Sequence, residues 1–100
     1  MYEGQWKEGE KHGKGRYAFA TGSSYEGEYQ RRLRHGKGKY TYPSGAVEIG
    51  CYEAGKDVGQ GVQWSADRAQ AWELQDGKRG RSISQEEAAQ IAARIGLPVP

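Results

Sequence analysis

Apolar and polar positions alternate along most of this chain, and the alternation itself recurs. Tyr2, Gly4 and Trp6 share one side of an extended segment, while Glu3, Gln5 and Lys7 share the other. After Glu8–His12, which reads as a loop, Gly13, Gly15, Tyr17 and Phe19 fall on one side opposite Lys14, Arg16 and Ala18. Period-two alternation bounded by glycine and polar residues predicts strands, so each such stretch predicts a β-hairpin. Ala20-Thr21-Gly22-Ser23 predicts the turn into the next hairpin, and Pro43-Ser44-Gly45 does the same one unit later.

The hairpins repeat at a fixed step of 23 residues, which carries Tyr2-Glu3-Gly4 onto Tyr25-Glu26-Gly27 and His12-Gly13-Lys14-Gly15 onto His35-Gly36-Lys37-Gly38. Residues 2–24 and 25–47 form two strong units, residues 48–70 a weaker third, and residues 71–80 a half-unit that needs a one-residue shift to align Gly77 with Gly9. A unit this short cannot bury its apolar side alone and must stack on its neighbours. The expected fold is an all-β repeat: stacked antiparallel hairpins in an elongated, single-layer twisted sheet over residues 1–80.

Glycine inside a strand normally weakens it, so its periodic use needs a packing reason. Gly4, Gly13 and Gly15, with their counterparts Gly27, Gly36, Gly38, Gly50, Gly59 and Gly61, are expected to remove the Cβ where rings cross the backbone. The rings are Tyr2, Trp6, Tyr17, Phe19, Tyr25, Tyr29, Tyr40, Tyr42 and Tyr52. They fill a thin core on one reading and form a partner-binding face on the other.

After Gly80 the period changes from two to 3.6. Ser84-Gln85-Glu86-Glu87 has the form of a capping box, in which the Ser84 hydroxyl accepts from the Glu87 amide and Glu87 reaches back. Ala88, Ile91, Ala92 and Ile95 make one apolar stripe, Gly96 suits the residue after the last turn, and Pro98 stops any continuation. A short helix is expected within residues 84–96. Being marginal alone, it should cap the last hairpin; the other reading offers it to a partner.

The motif Tyr-Glu-Gly-x-Trp/Tyr followed by His-Gly-x-Gly-x-Tyr, in register at this step, resembles the MORN (membrane occupation and recognition nexus) repeat. The resemblance covers about residues 2–80. It weakens in the third unit, where Glu48 replaces the leading tyrosine and Val58 the histidine. The family occurs in junctophilins, phosphatidylinositol phosphate kinases, radial-spoke head proteins, a SET-type methyltransferase and cytoskeletal scaffolds. The resemblance implies a non-catalytic interaction or scaffold module with protein partners, including cytoskeletal ones or a second copy. Its alternatives are a peripheral module for anionic phospholipids and the targeting region of a larger enzyme. It places the chain in the cytoplasm, at the cytoskeleton or at a membrane surface.

Composition narrows these classes. One hundred residues allow one domain, and the apolar weight lies in rings more than in Leu, Ile and Val. No stretch approaches the roughly 20 apolar residues of a membrane-spanning helix. The lone Cys51 cannot form an internal disulfide. Residues 25–47 gather Arg31, Arg32, Arg34, Lys37 and Lys39 against Glu26 and Glu28, a candidate patch for anionic lipid or an acidic partner. The competing reading pairs Glu3 with Arg16 and Glu26 with Lys39 across strands. A sequence pI of about 8.7 and a short basic run give no expectation of nucleic acid.

His12 and His35 sit one unit apart, roughly 10 Å at about 4.8 Å per strand, too far to share a zinc ion at about 2 Å from each nitrogen. Gly13-Lys14-Gly15 lacks the spacing of a phosphate loop. No enzyme and no cofactor are expected. With Met1 followed at once by Tyr2-Glu3-Gly4, the first strand is expected to expose an edge that pairs with another copy, or else to be cut from a longer array.

Overall fold

The computed structural model describes residues 2–100; Met1, placed by the sequence at the head of the array, lies outside them. Eight strands run in chain order: β1 (Tyr2–Lys7), β2 (Glu10–Ala18), β3 (Ser24–Gln30), β4 (Leu33–Thr41), β5 (Val47–Glu53), β6 (Lys56–Trp64), β7 (Ala71–Gln75) and β8 (Lys78–Ile83). Each pairs antiparallel with the next in one open sheet, β1-β2-β3-β4-β5-β6-β7-β8. A helix, α1 (Gln85–Ile95), follows. With extents of 43 × 24 × 20 Å, the molecule is elongated along the stacking direction.

The segment Glu8–His12 is not a loop. A two-residue turn, Glu8-Gly9, closes the first hairpin and β2 resumes at Glu10. Both turn residues have positive φ, 53° and 79°, the requirement of the hairpin turn whose twist matches that of the strands. Ala54-Gly55 and Asp76-Gly77 repeat it, so Gly77 does stand where Gly9 stands. In the second hairpin the glycine position holds Arg32, at φ 73°. A left-handed conformation costs an L-residue about 1–2 kcal/mol, against the 0–1 kcal/mol of its exposed ion pair with Glu10. Arg32→Gly is therefore expected to raise the melting temperature by a few degrees, roughly 4 °C or less, in a calorimetric scan. An unchanged or lower value would mean that the Glu10 pair outweighs the backbone strain.

The turns between hairpins share a second geometry. Phe19 N donates to Ser23 O at 2.9 Å, and Tyr42 N donates to Ala46 O at 2.9 Å. In the third unit Ser65 N reaches Gln70 O instead, one residue further on. That inserted residue is the source of the one-residue shift in the fourth hairpin. Arg68 occupies the position of Gly45 there, at φ 65°, and its guanidinium donates to Gly45 O, Ser65 O and Ala66 O, which holds the strained loop shut.

Two cores lie on opposite faces of the sheet. Tyr25, Tyr29 and Tyr52 are buried together on one face, with Tyr2, Tyr17 and Tyr40 packed against them. On the other, Val47, Ile49, Val62, Trp64, Ala71 and Ile83 meet Ala88, Ile91 and Ala92 of α1. The helix crosses β5, β6 and β7 on the face away from the rings, and its core takes in Ala71 and Ile83 of the last hairpin. Ser84 Oγ accepts from Glu87 N at 3.1 Å. The Glu87 carboxylate does not complete the box: it turns to Arg81 Nη2 at 2.9 Å, and Arg81 also lies 3.6 Å from Glu73. Glu3 opposes Arg16 and Glu26 opposes Lys39 in register, but the ion pairs within 4 Å among the described residues are those of Arg32 and Arg81.

Candidate interaction surface

The ring face is built from one device used twice. The Tyr25 ring lies along its own hairpin over Gly27 and Gly38, and its hydroxyl donates to Glu28 O at 3.1 Å. A Cβ on Gly38 would stand 2.5 Å from Tyr25 Cε1. Tyr2 repeats this over Gly4 and Gly15, donating to Gln5 O at 2.9 Å. The ring needs the glycine pair, and the hydroxyl pins it there.

Not every glycine on the ring side serves this purpose. Gly13, Gly36 and Gly59 have φ of 68°, 71° and 70° at irregularities in the second strand of each hairpin, so their conformation, not room for a ring, selects glycine. Beside Gly13 lies the Gln5 side chain, whose Oε1 accepts from Lys14 N at 2.8 Å. Gly50 and Gly61 carry no ring either, because Glu48 stands at the tyrosine position. The nearest atom to a Cβ on Gly50 would be Gly61 Cα, at 3.8 Å.

The rings form two columns across the strands. Trp6, Tyr2, Tyr29, Tyr25 and Tyr52 meet edge to face at centroid distances of 5.0–5.3 Å, and Tyr17, Phe19, Tyr40 and Tyr42 follow at 4.7–5.9 Å. Edge-to-face contacts of this kind add about 0.5–1.5 kcal/mol beyond area burial. Tyr25, Tyr29 and Tyr52 are buried, whereas Trp6 is 58% exposed, Phe19 37% and Leu33 48%. The face is a core at its centre and an open apolar surface at the β1–β4 end.

Burial pushes the Tyr29 phenol up to about 12, and Tyr25 and Tyr52 are raised further by the same cause. A raised value favours the protonated side chain in the folded state. The resulting stability is fully present below the ordinary value of 10.0 and is lost as pH rises past it. An alkaline titration should thus show unfolding that starts above pH 10, with tyrosinate absorbance and loss of ellipticity rising together. Phenols that ionise in a single step near 10 in a chain that stays folded would contradict the buried column.

The basic cluster of residues 25–47 does not come together. Arg31 and Arg32 occupy the β3–β4 turn. Arg34 lies on the ring face, its guanidinium carbon 4.8 Å from the Tyr52 centroid, with Nη2 donating to Gly55 O at 3.3 Å. Lys37 and Lys39 are on the opposite face, where Lys37 Nζ donates to Gly96 O at 3.5 Å, beyond the end of α1. His12 and His35 line an open depression with Gln5 and Glu28, and among the described residues no third ligand joins them.

One cation escaped the sequence reading. Lys11 occupies the repeat position of Arg34, and its Nζ stands 4.4 Å from the Tyr17 centroid, 5.5 Å from Tyr2 and 5.9 Å from Tyr29. The signal was available as a basic residue recurring one unit apart. In the third unit the same position holds Asp57. Burial, then the Asp57 charge, raises the Glu48 carboxyl, and Tyr42 donates its hydroxyl to Glu48 Oε1 at 3.3 Å. The ring face therefore changes sign from cationic at β2–β4 to anionic at β5–β6.

Residues 2–24 and 25–47 each match the family model of the MORN repeat. The chain carries MORN repeats. The matched stretches are the two hairpins in which a tyrosine covers a glycine pair. A search of the curated proteins found no match. MORN repeats generally serve as binding modules for proteins or membrane lipids and are in general non-catalytic. Among the described residues, no helix is long and apolar enough to cross a membrane.

Proposed function

We propose that this chain is a non-catalytic protein-interaction module of the scaffold type, docking a partner on the ring face of β1–β4. The observation that carries the reading is the position of α1. The helix occupies the face away from the rings at the β5–β7 end, leaving Trp6, Phe19 and Leu33 exposed beside the buried tyrosine column. Exposed apolar residues grouped on a rigid surface mark interaction sites, whereas the same residues scattered singly do not. Division of the basic residues between two faces weighs against a flat bilayer contact, which gains about 1 kcal/mol only from each cation near the surface.

The test is capture with wild type, a Trp6→Ser/Phe19→Ser variant and an Arg16→Glu variant on the opposite face. A partner held by wild type and by Arg16→Glu, but lost with the ring-face pair, supports the reading. A partner lost with Arg16→Glu alone would move the site to the charged face. A second reading is favoured by β1, which ends the sheet beside the exposed Trp6. Among the described residues no strand pairs with its outer edge, where a strand from a second copy would add. Light scattering should then show concentration-dependent dimers, and a monomer up to high micromolar concentration would exclude that pairing.

A further inference from the structure

The ring-face docking site carries a charge that specifies its occupant. A depression of about 340 Å³ on β2–β4 is lined by Lys11, Arg32 and Arg34 together with Tyr17, Phe19 and Leu33, and no carboxylate lines it. Arg32 is neutralised by Glu10 at 2.9 Å. Lys11 is positioned by rings, over Tyr17, and Arg34 by the Tyr52 ring and its bond to Gly55 O, with no carboxylate within ion-pair distance of either among the described residues. A ring orients a cation without cancelling its charge, so both remain available to an anion. The adjoining apolar surface is the exposed Phe19 and Leu33.

We infer that this depression binds an acidic peptide segment in extended conformation, with an apolar side chain between two carboxylates. This rests on ring-face docking and adds the chemistry of the partner. Lys11 and Arg34 are one repeat apart, two strand spacings of about 4.8 Å, hence roughly 10 Å. An extended chain turns every second side chain to the same surface, so residues four apart share a face about 13 Å from each other, within the reach of long Lys, Arg and Glu side chains over that distance. The carboxylates therefore belong four residues apart, with the side chain midway between them, on the same face, against Phe19 or Leu33. The track ends at β4, because Asp57 holds the next equivalent position and would repel a third acid. Desolvated by the surrounding rings, each pair should be more selective than an exposed surface ion pair.

The experiment is fluorescence anisotropy with a labelled probe peptide, Glu-Ser-Leu-Ser-Glu flanked by glycine and serine, and a control with Gln for both Glu. The acidic probe should bind at least tenfold more tightly than the control and weaken as salt is added. Lys11→Gln should reduce its affinity several-fold without changing the melting temperature. Lys11→Glu should favour a probe with Lys in place of the Glu nearest that position. Equal binding of the acidic and Gln probes, with both lost in Phe19→Ser, would overturn the acidic specificity and leave ring-face docking standing. Binding of the acidic probe that survives Lys11→Gln and Phe19→Ser alike would overturn the site. Absence of binding by either probe would overturn the proposed peptide chemistry. Phosphatidylserine vesicles that displace the probe and bind more tightly, with loss in Lys11→Gln, would overturn it in favour of a lipid.

Discussion

Gly38→Ala should strongly destabilise the protein, while Gly50→Ala should be close to neutral. The two glycines occupy adjacent strands, β4 and β5, and oppose each other in register. At Gly38 the added carbon would meet Tyr25 Cε1 at 2.5 Å. Tyr25 is fully buried, held by its bond to Glu28 O and by edge contacts with Tyr29 and Tyr52, so it has nowhere to turn. Overpacking of a rigid site costs about 1–3 kcal/mol, and displacing a pinned ring belongs at the upper end. At Gly50 the nearest atom is 3.8 Å away, and alanine also removes the roughly 0.5–1 kcal/mol that glycine forfeits in a strand. Thermal melts of the two variants should separate by roughly 10 °C or more for a chain of this size. Equal melting temperatures would refute the idea that a tyrosine over a glycine pair is what these repeats are built on.

The fold was legible because the repeat states each structural decision more than once. Tyr2 and Tyr25, Gly4 and Gly27, Gly15 and Gly38 are three pairs at one interval, and a chance coincidence does not preserve three registers. The place of the helix was less plain, although its signal was there. At the positions of Ser24, Glu26, Lys39 and Thr41, the third unit carries Val47, Ile49, Val62 and Trp64. Four polar positions on the charged face turn apolar together, which marks where a second layer must sit. Aligning only the ring positions hides this, because the informative substitutions lie on the other side of each strand.

For the candidate surface, composition misled where geometry decides. Arg31, Arg32, Arg34, Lys37 and Lys39 look like one patch along the chain. Alternation, however, sends Arg34 and Lys37, three residues apart, to opposite faces, and the irregularity at Gly36 leaves that parity unchanged. Gly13, Gly36 and Gly59 were equally hard to separate from the ring-bearing glycines. A glycine chosen for positive φ and one chosen for lack of a Cβ leave the same letter in the sequence. Glu8-Gly9 could have been recognised as a two-residue turn, since Ala54-Gly55 and Asp76-Gly77 repeat a residue-glycine pair at equivalent places.

Removal of residues 84–100 should abolish cooperative folding of the β5–β8 half of the sheet. Val47, Ile49, Val62 and Trp64 are essentially inaccessible under α1. Exposing a fully buried side chain of this kind costs about 1.5–3 kcal/mol. Four together forfeit roughly 6–12 kcal/mol, comparable with the 5–15 kcal/mol that keeps a whole domain folded. The tyrosine column draws on different contacts, on the other face, and stacked repeats depend mainly on their neighbours. Hydrogen exchange should consequently find Val47–Ile83 unprotected in the shortened chain, with partial protection surviving around Tyr25 and Tyr29. The milder Ile91→Ala, which removes side-chain atoms from a buried contact and leaves the helix in place, should cost about 2–5 kcal/mol in the same region. A shortened chain that melts at the temperature of the full one, with β5 and β6 still protected, would show that the helix is dispensable and that the apolar face beneath it tolerates water.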